Sequence, residues 1–516
     1  MLALLLLPSS FALAQTPPPA RDERFGIVHV SYASELRGVD RYGPAASAGA
    51  RWNRWALYWT DVELSPGVYD WSGPDATIAA DQQYGFRTDA ILLGTPGFYN
   101  TGLGAAADEP PPRVGDKSAA LAFLRGQPLR RSAAAAIAPP RGLYLPTFAD
   151  GTDGYAPGKA INQSNVWARF VAAAVARYKG RVALWEIWNE PDFSQFWSGS
   201  LPDYVRLLKV AWLAARSVDP SAQIFVGGMM HWEWANRTGV EHAWLWAFLD
   251  ELARDSGAAQ NGYYFDGIPW HWYSRPSDAY DKTRSALAIL QSRGITGKTM
   301  WVNESNAPAC GEPPRWVSCA DPNYRGSATL EEQAAYVIQF FAYALAGGVD
   351  RSFMFQFQDD GNAESFGLFR NDLTARPAYT AYQVAVAHMG LATAATREGA
   401  GNVERITIPT LRGRTTVVWA RGPSGEIAQI PTLTSTATLV EPDGTTASVQ
   451  AVNGVYTVPL AGATNNKGFS NNPNDYPIGG RPRLVVESFV PQPVPPPPPG
   501  WQRQYYPLGP QRTGLG

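Results

Sequence analysis

Cysteine is nearly absent from this 516-residue sequence, which contains only Cys310 and Cys319. That scarcity excludes a disulfide-dense scaffold and a cysteine-based metal cluster. Histidine is almost as rare: five residues, scattered, with no HExxH or paired spacing, argue against a zinc site. Charge is also low. Charged residues make up 17% of the chain, against roughly 25% in typical soluble proteins. Forty-three basic and forty-five acidic side chains leave a net charge of −2, so there is no electrostatic footprint for nucleic acid or for an anionic membrane. No apolar run reaches the roughly 20 residues needed to span a bilayer. The N-terminal stretch Met1–Gln15 is apolar but short, is broken by Pro8, and ends in the small-x-small pattern Ala12-Leu13-Ala14. It reads as a signal peptide over residues 1–14, although no Lys or Arg precedes its apolar run. A secreted or cell-envelope location follows. In that setting Cys310 and Cys319 can pair as a local disulfide, the other reading being two separate buried thiols.

What the chain does contain is apolar and aromatic. Hydrophobic residues reach 45% and aromatics 12%, with nineteen Trp and twenty-three Tyr. Flat rings with a polar edge fill cores and also stack on the apolar faces of sugars, so an uncharged partner such as a carbohydrate fits the composition.

After a linker at 15–24, residues 25–390 alternate short apolar runs with longer amphipathic segments, the pattern of a parallel sheet with crossover helices. Eight runs occur: 25–30, 51–57, 87–94, 183–188, 223–227, 267–273, 299–303 and 351–357. Helical periodicity follows several of them, at 165–178, 202–217, 243–255 and 330–346. The expectation is a (β/α)8 TIM barrel, whose chemistry sits at the carboxyl ends of its strands. Two connections, 95–162 and 305–329, are far longer than ordinary βα loops and should overhang that face. From 391 to 490 the pattern changes to short β-type runs between turn residues, which predicts an antiparallel β-sandwich. Residues 491–516 form a Pro-rich tail.

Two strand ends carry the chemistry. Leu184-Trp185-Glu186-Ile187-Trp188-Asn189-Glu190-Pro191 is an aromatic strand stopped by Pro191, which leaves Glu190 at the rim. Met300-Trp301-Val302-Asn303-Glu304-Ser305 ends in a second carboxylate. The fourth and seventh strands of a closed barrel face one another across its mouth, and paired carboxylates about 5–5.5 Å apart suit a retaining glycosidase. Glu186 sits deeper and reads as a buried structural ion pair.

These residues also carry a resemblance. WEIWNEPD, WVNE, the HWY at His271–Tyr273, the opening FGIVHV, Arg54 followed by SPGVYDWS, and Arg376-Pro377-Ala378-Tyr379 together resemble clan A glycoside hydrolases. Within that clan the likeness is greatest to glycoside hydrolase family 39 and relatives acting on bacterial polysaccharides. It implies Glu190 as general acid/base, Glu304 as nucleophile and Asn189 on the sugar hydroxyl beside the anomeric carbon. It further implies that Tyr273 or His271 touches the nucleophile and that Arg54 keeps it ionised. His29, Trp197 and Trp232 are further substrate-binding candidates, each with an ordinary packing role as the alternative. No organic cofactor or essential metal is expected. The pattern departs from the clan at the eighth strand, where Phe353-Met354-Phe355-Gln356-Phe357-Gln358 lacks the usual Trp floor. A binding scaffold without catalysis would need neither glutamate, and a transglycosylase would differ only in how well the site excludes water.

Overall fold

The computed structural model describes residues 22–31, 40–100, 137–313, 316–359, 365–470 and 472–488. The expected signal peptide, most of the linker and the Pro-rich tail lie outside these residues.

Eight parallel strands close into a barrel: β1 (Phe25–Val28), β2 (Trp52–Tyr58), β3 (Arg87–Leu93), β4 (Leu184–Asn189), β5 (Ile224–Gly228), β6 (Gly267–Tyr273), β7 (Thr299–Asn306) and β8 (Arg351–Met354). Each strand pairs with its sequence neighbour, and β1 closes on β8. The strands are buried on both faces, as crossover helices outside and side-chain layers inside require. Helix starts are written locally. Asn165 accepts from the Ala168 amide at 3.1 Å, and reciprocal capping boxes (Ser200 with Asp203, Thr329 with Glu332) open the helices Leu201–Val218 and Leu330–Gly347.

The barrel interior divides by depth. Trp52, Leu184, Phe225, Trp301 and Phe353 plug the end where the strands begin, with Trp301 edge-on to Trp52 and Phe225 at 4.9 Å between ring centroids. Two residues further along β2 and β4 come Arg54 and Glu186, both fully buried. The polar layer therefore lies directly on an apolar one, which screens it from water on that side.

Beyond the barrel, eight antiparallel strands form the β-sandwich: β9 (Thr396–Ala400), β10 (Val403–Thr410), β11 (Gly413–Ala420), β12 (Glu426–Pro431), β13 (Thr436–Val440), β14 (Thr446–Gln450), β15 (Val455–Leu460) and β16 (Arg483–Ser488). One sheet runs β9-β10-β11-β16-β13-β14 and the other pairs β12 with β15. The sandwich is tied to the barrel by buried polar contacts. The Tyr343 hydroxyl donates to Glu404 at 2.8 Å, and Gln339 exchanges 3.0 Å hydrogen bonds with the backbone of Gly479 and Gly480. Among the described residues no helix is long and apolar enough to cross a membrane.

Candidate active site

Strand alternation delivers Glu186 inward from β4, and a break in that alternation delivers its successors. Trp188 has φ 71° and turns its indole outward, donating to the Phe196 carbonyl at 2.7 Å and packing on Trp197. Glu190 has φ 46°. Positive φ is costly for residues with a side chain, by roughly 1–3 kcal/mol each. Through these two departures Asn189 and Glu190 both reach the inner mouth, while the Glu190 amide still pairs with the Gly228 carbonyl at 2.8 Å.

A β-bulge does the same work on β7. The register of β6 against β7 slips between Trp270 and His271, so that Trp270 faces Val302 and His271 faces Glu304. Asn303 is the extra residue. Its side chain donates to Glu186 at 2.8 Å, while the next residue, Glu304, also points inward and meets Arg54 at 2.6 Å. Without the bulge, consecutive residues could not share one face. On β6 the period of two holds: His271 and Tyr273 face the site, and Trp270 and Trp272 stack on each other outside.

Arg54 is the hub. It grips Glu186 with two hydrogen bonds of 2.8 Å, donates to Glu304 at 2.6 Å and to Asn189 at 3.1 Å, and passes Asp89 at 3.9 Å. Burial opposes its charge, but the charges of Glu186 and Glu304 outweigh burial and hold its pKa above the ordinary arginine value. Burial and then the charge of Glu186 push the Asp89 carboxyl well above the usual carboxylate range. Glu304 receives a second donor, the Tyr273 hydroxyl. Burial, reinforced by the charge of Glu304, keeps that phenol protonated.

His271 links the two glutamates. Its Nδ1 lies 2.6 Å from Glu190 Oε1 and 3.5 Å from Glu304 Oε2, and its Nε2 lies 3.4 Å from an Arg54 nitrogen. A guanidinium only donates, so Nε2 accepts, and the ring proton sits on Nδ1 facing Glu190. One oxygen from each glutamate and a ring nitrogen of His271 fall within 4.8 Å of one another. Such a trio has the donor types of a metal site, but the Arg54 cation and the Tyr273 proton already occupy Glu304, and both oppose a cation there.

Of the residues singled out in the sequence, Arg54, Asn189, Glu190, His271, Tyr273 and Glu304 thus converge. His29 lies at the end of β1, with Nδ1 3.0 Å from Gln356 Oε1. Trp197 does not join the group: it is 4% exposed, packs on Trp188 and Tyr204, and donates to the Ser200 carbonyl at 3.1 Å. Trp232 packs with Phe193 beside Phe196 and Met230. Cys310 and Cys319 form a disulfide in the loop after β7. Asn303 and Asp89 were not singled out; a bulge leaves no mark in sequence, and an inward Asp on a buried strand resembles any strand polar residue.

No protein-family model and no curated protein matches the chain. Solved structures do. A family 39 glycoside hydrolase from the gut symbiont Bacteroides cellulosilyticus superimposes with a TM-score of 0.60 at 16% identity, over 90% of this chain and 81% of the other. A GH30 endoxylanase from Clostridium papyrosolvens gives 0.53 at 12%, over 91% and 97% of the two chains. A glucosidase from Croceicoccus marinus gives 0.52 at 14%, over 92% and 98%. At these identities the likeness is one of fold: a TIM barrel with an attached β-sandwich.

Proposed function

We propose that the chain is a retaining glycoside hydrolase in which Glu304 is the nucleophile and Glu190 the general acid/base. The observation that carries this reading is the pair of buried carboxylates with oxygens within 4.8 Å, one held by two donors and the other by His271. That separation suits a double displacement better than an inverting site, which needs room for a water between its carboxyls. In the first step Glu304 attacks the anomeric carbon, the glycosidic bond breaks, and the Glu190 proton passes to the leaving oxygen. In the second, Glu190 takes a proton from water, whose oxygen displaces Glu304 with net retention.

Arg54 and Tyr273 stabilise the carboxylate form of Glu304 before attack. His271 fixes Glu190 whichever protonation state it holds, because the contacted oxygen accepts in both. Asn189 has its Oδ1 engaged by Arg54, and its Nδ2 has no partner among the described residues, which leaves a donor for a sugar hydroxyl. The fold shared with a family 39 glycoside hydrolase, a GH30 endoxylanase and a glucosidase supports a carbohydrate substrate. The disulfide supports an oxidising location, secreted or in the cell envelope.

The test is a panel of 2,4-dinitrophenyl glycosides with Glu304→Gln and Glu190→Ala. Glu304→Gln should lose turnover by at least on the order of 10³-fold. Glu190→Ala should keep release of the activated phenol but stall at deglycosylation, and azide should restore it as a glycosyl azide of retained configuration. Wild-type rates in Glu304→Gln, or a first product of inverted configuration by NMR, would overturn the assignment.

A further inference from the structure

Where the resemblance leads one to expect a stacking indole at the end of β8, the chain runs from Met354 into Phe355 and Gln356. Phe355 packs edge-on to Tyr273 and Phe366. Gln356 is 2% exposed, yet hydrogen bonds hold only one end of its amide. Its Oε1 faces His29 Nδ1 at 3.0 Å, and an amide oxygen only accepts, so the imidazole donates. The backbone fixes both partners: the His29 amide donates to the Arg54 carbonyl at 2.9 Å, and the Leu368 amide donates to the Gln356 carbonyl at 2.9 Å. With its oxygen held by the imidazole, the amide cannot rotate to find another acceptor. Its Nε2 has no partner among the described residues.

A buried amide nitrogen without an acceptor is rare in a folded protein, and the usual reason is a ligand or water that completes it. The mouth contains a second such donor, Asn189 Nδ2. β4 and β8 are four strands apart in the closed eight-strand barrel, so the two donors stand on opposite sides of the mouth.

On the basis of the glycosidase reading, we infer that Gln356, oriented by His29, determines specificity. Its Nε2 donates to a hydroxyl on the ring edge opposite the one that Asn189 faces, so the reacting sugar carries a free oxygen there. An indole would read that sugar by stacking on its apolar face and would tolerate loss of a hydroxyl. An orphaned donor does not tolerate it, because the deoxy sugar leaves the amide unpaired in the complex.

The test is a double-mutant cycle on kcat/KM, with the dinitrophenyl glycoside the wild type cleaves fastest, its 3-, 4- and 6-deoxy analogues, and the variants Gln356→Met and His29→Phe. In the wild type one deoxy analogue should be cleaved at least tenfold more slowly than the parent. Gln356→Met should cut that parent-to-deoxy ratio at least tenfold, and His29→Phe should cut the same ratio less. Parent and all analogues falling in parallel in Gln356→Met would overturn the inference, as would a wild type indifferent to every deletion. Either result leaves the two-glutamate reading standing, because that reading is tested separately, by the rate of Glu304→Gln and the configuration of the first product. A wild type that cleaves no glycoside of the panel overturns both.

Discussion

Among the described residues two arginines are buried almost completely, Arg54 inside the barrel and Arg376 beneath its mouth loops, and they keep different company. Arg376 makes hydrogen bonds of 2.9 and 2.7 Å to Asp359 and one of 2.8 Å to the Gly367 carbonyl. It also meets Glu312 at 3.4 Å, which a second cation, Arg370, holds at 2.6 Å. Two positive groups there balance two negative ones. Around Arg54 a single cation faces Glu186 and Glu304, with Asp89 a third carboxyl close by. Burial pushes Asp89 toward its protonated form, yet the cluster is still one positive charge short. A balanced buried cluster is inert scaffolding that joins loops. An unbalanced one leaves a carboxylate under-compensated, which is the state a nucleophile needs before it meets a developing positive centre.

The largest effect should come from removing the two guanidinium groups in turn. Arg54→Met and Arg376→Met each leave buried carboxylates without their cation, and each should lose about 3–5 kcal/mol in chemical denaturation. Turnover should separate them. Below its unfolding transition Arg376→Met should keep kcat/KM for a small aryl glycoside within about tenfold, while Arg54→Met should lose on the order of 10³-fold or more. Equal losses of turnover in the two variants would erase the distinction between a reactive and a structural network.

A pH titration of stability sharpens the comparison next to Glu190, the proposed acid/base. Asp192 lies two residues after Glu190 and accepts from the backbone amides of Met230 and His231, tying the turn after β4 to the end of β5. Burial raises its pKa to about 6, against the hydrogen bonds that lower it. The folded protein therefore holds the Asp192 proton more tightly than the unfolded chain does. Its contribution is fully present below about pH 4 and is lost as the pH rises through about 6. Between pH 4 and 7 the wild type should lose about 3 kcal/mol relative to Asp192→Asn, for a shift of about two units. Parallel stability curves for the two proteins would place the proton elsewhere.

These sites were legible in the sequence to different degrees. The barrel strands could be read from eight apolar runs because strands buried on both faces leave continuous hydrophobic stretches. Glu190 could be read from Pro191, which can only end a strand, and Glu186 from its depth on the same strand. In the sandwich, β9 and β12 were not anticipated: Thr396–Ala400 reads TREGA and is mostly exposed, and Glu426–Pro431 alternates in a two-stranded sheet. The first buries almost nothing, and in the second Ile427 is exposed while Ala428 and Ile430 are buried, so the apolar residues do not mark the buried face. Asn303 turned inward through a bulge, and bulges are set by the pairing partner rather than by the strand's own residues. Trp197 was left open between sugar contact and packing, since an aromatic beside the turn after β4 looks the same in sequence whether it faces sugar or core.

The smallest effect concerns the loop that Arg376 braces. The Cys310–Cys319 disulfide closes a short loop containing Glu312, which is already pinned by Arg370 and Arg376. A cross-link stabilises mainly by restricting the unfolded chain, and for a loop this short the effect is about 2–3 kcal/mol. In the folded protein the two arginines hold the loop whether or not the sulfurs are joined. Cys310→Ser combined with Cys319→Ser should therefore lower denaturation stability by about 2 kcal/mol and leave kcat/KM within about threefold of wild type. If turnover instead fell as far as it does without Arg54, the loop after β7 would be setting the position of Glu304, and the Arg376 cluster would belong to the reactive network after all.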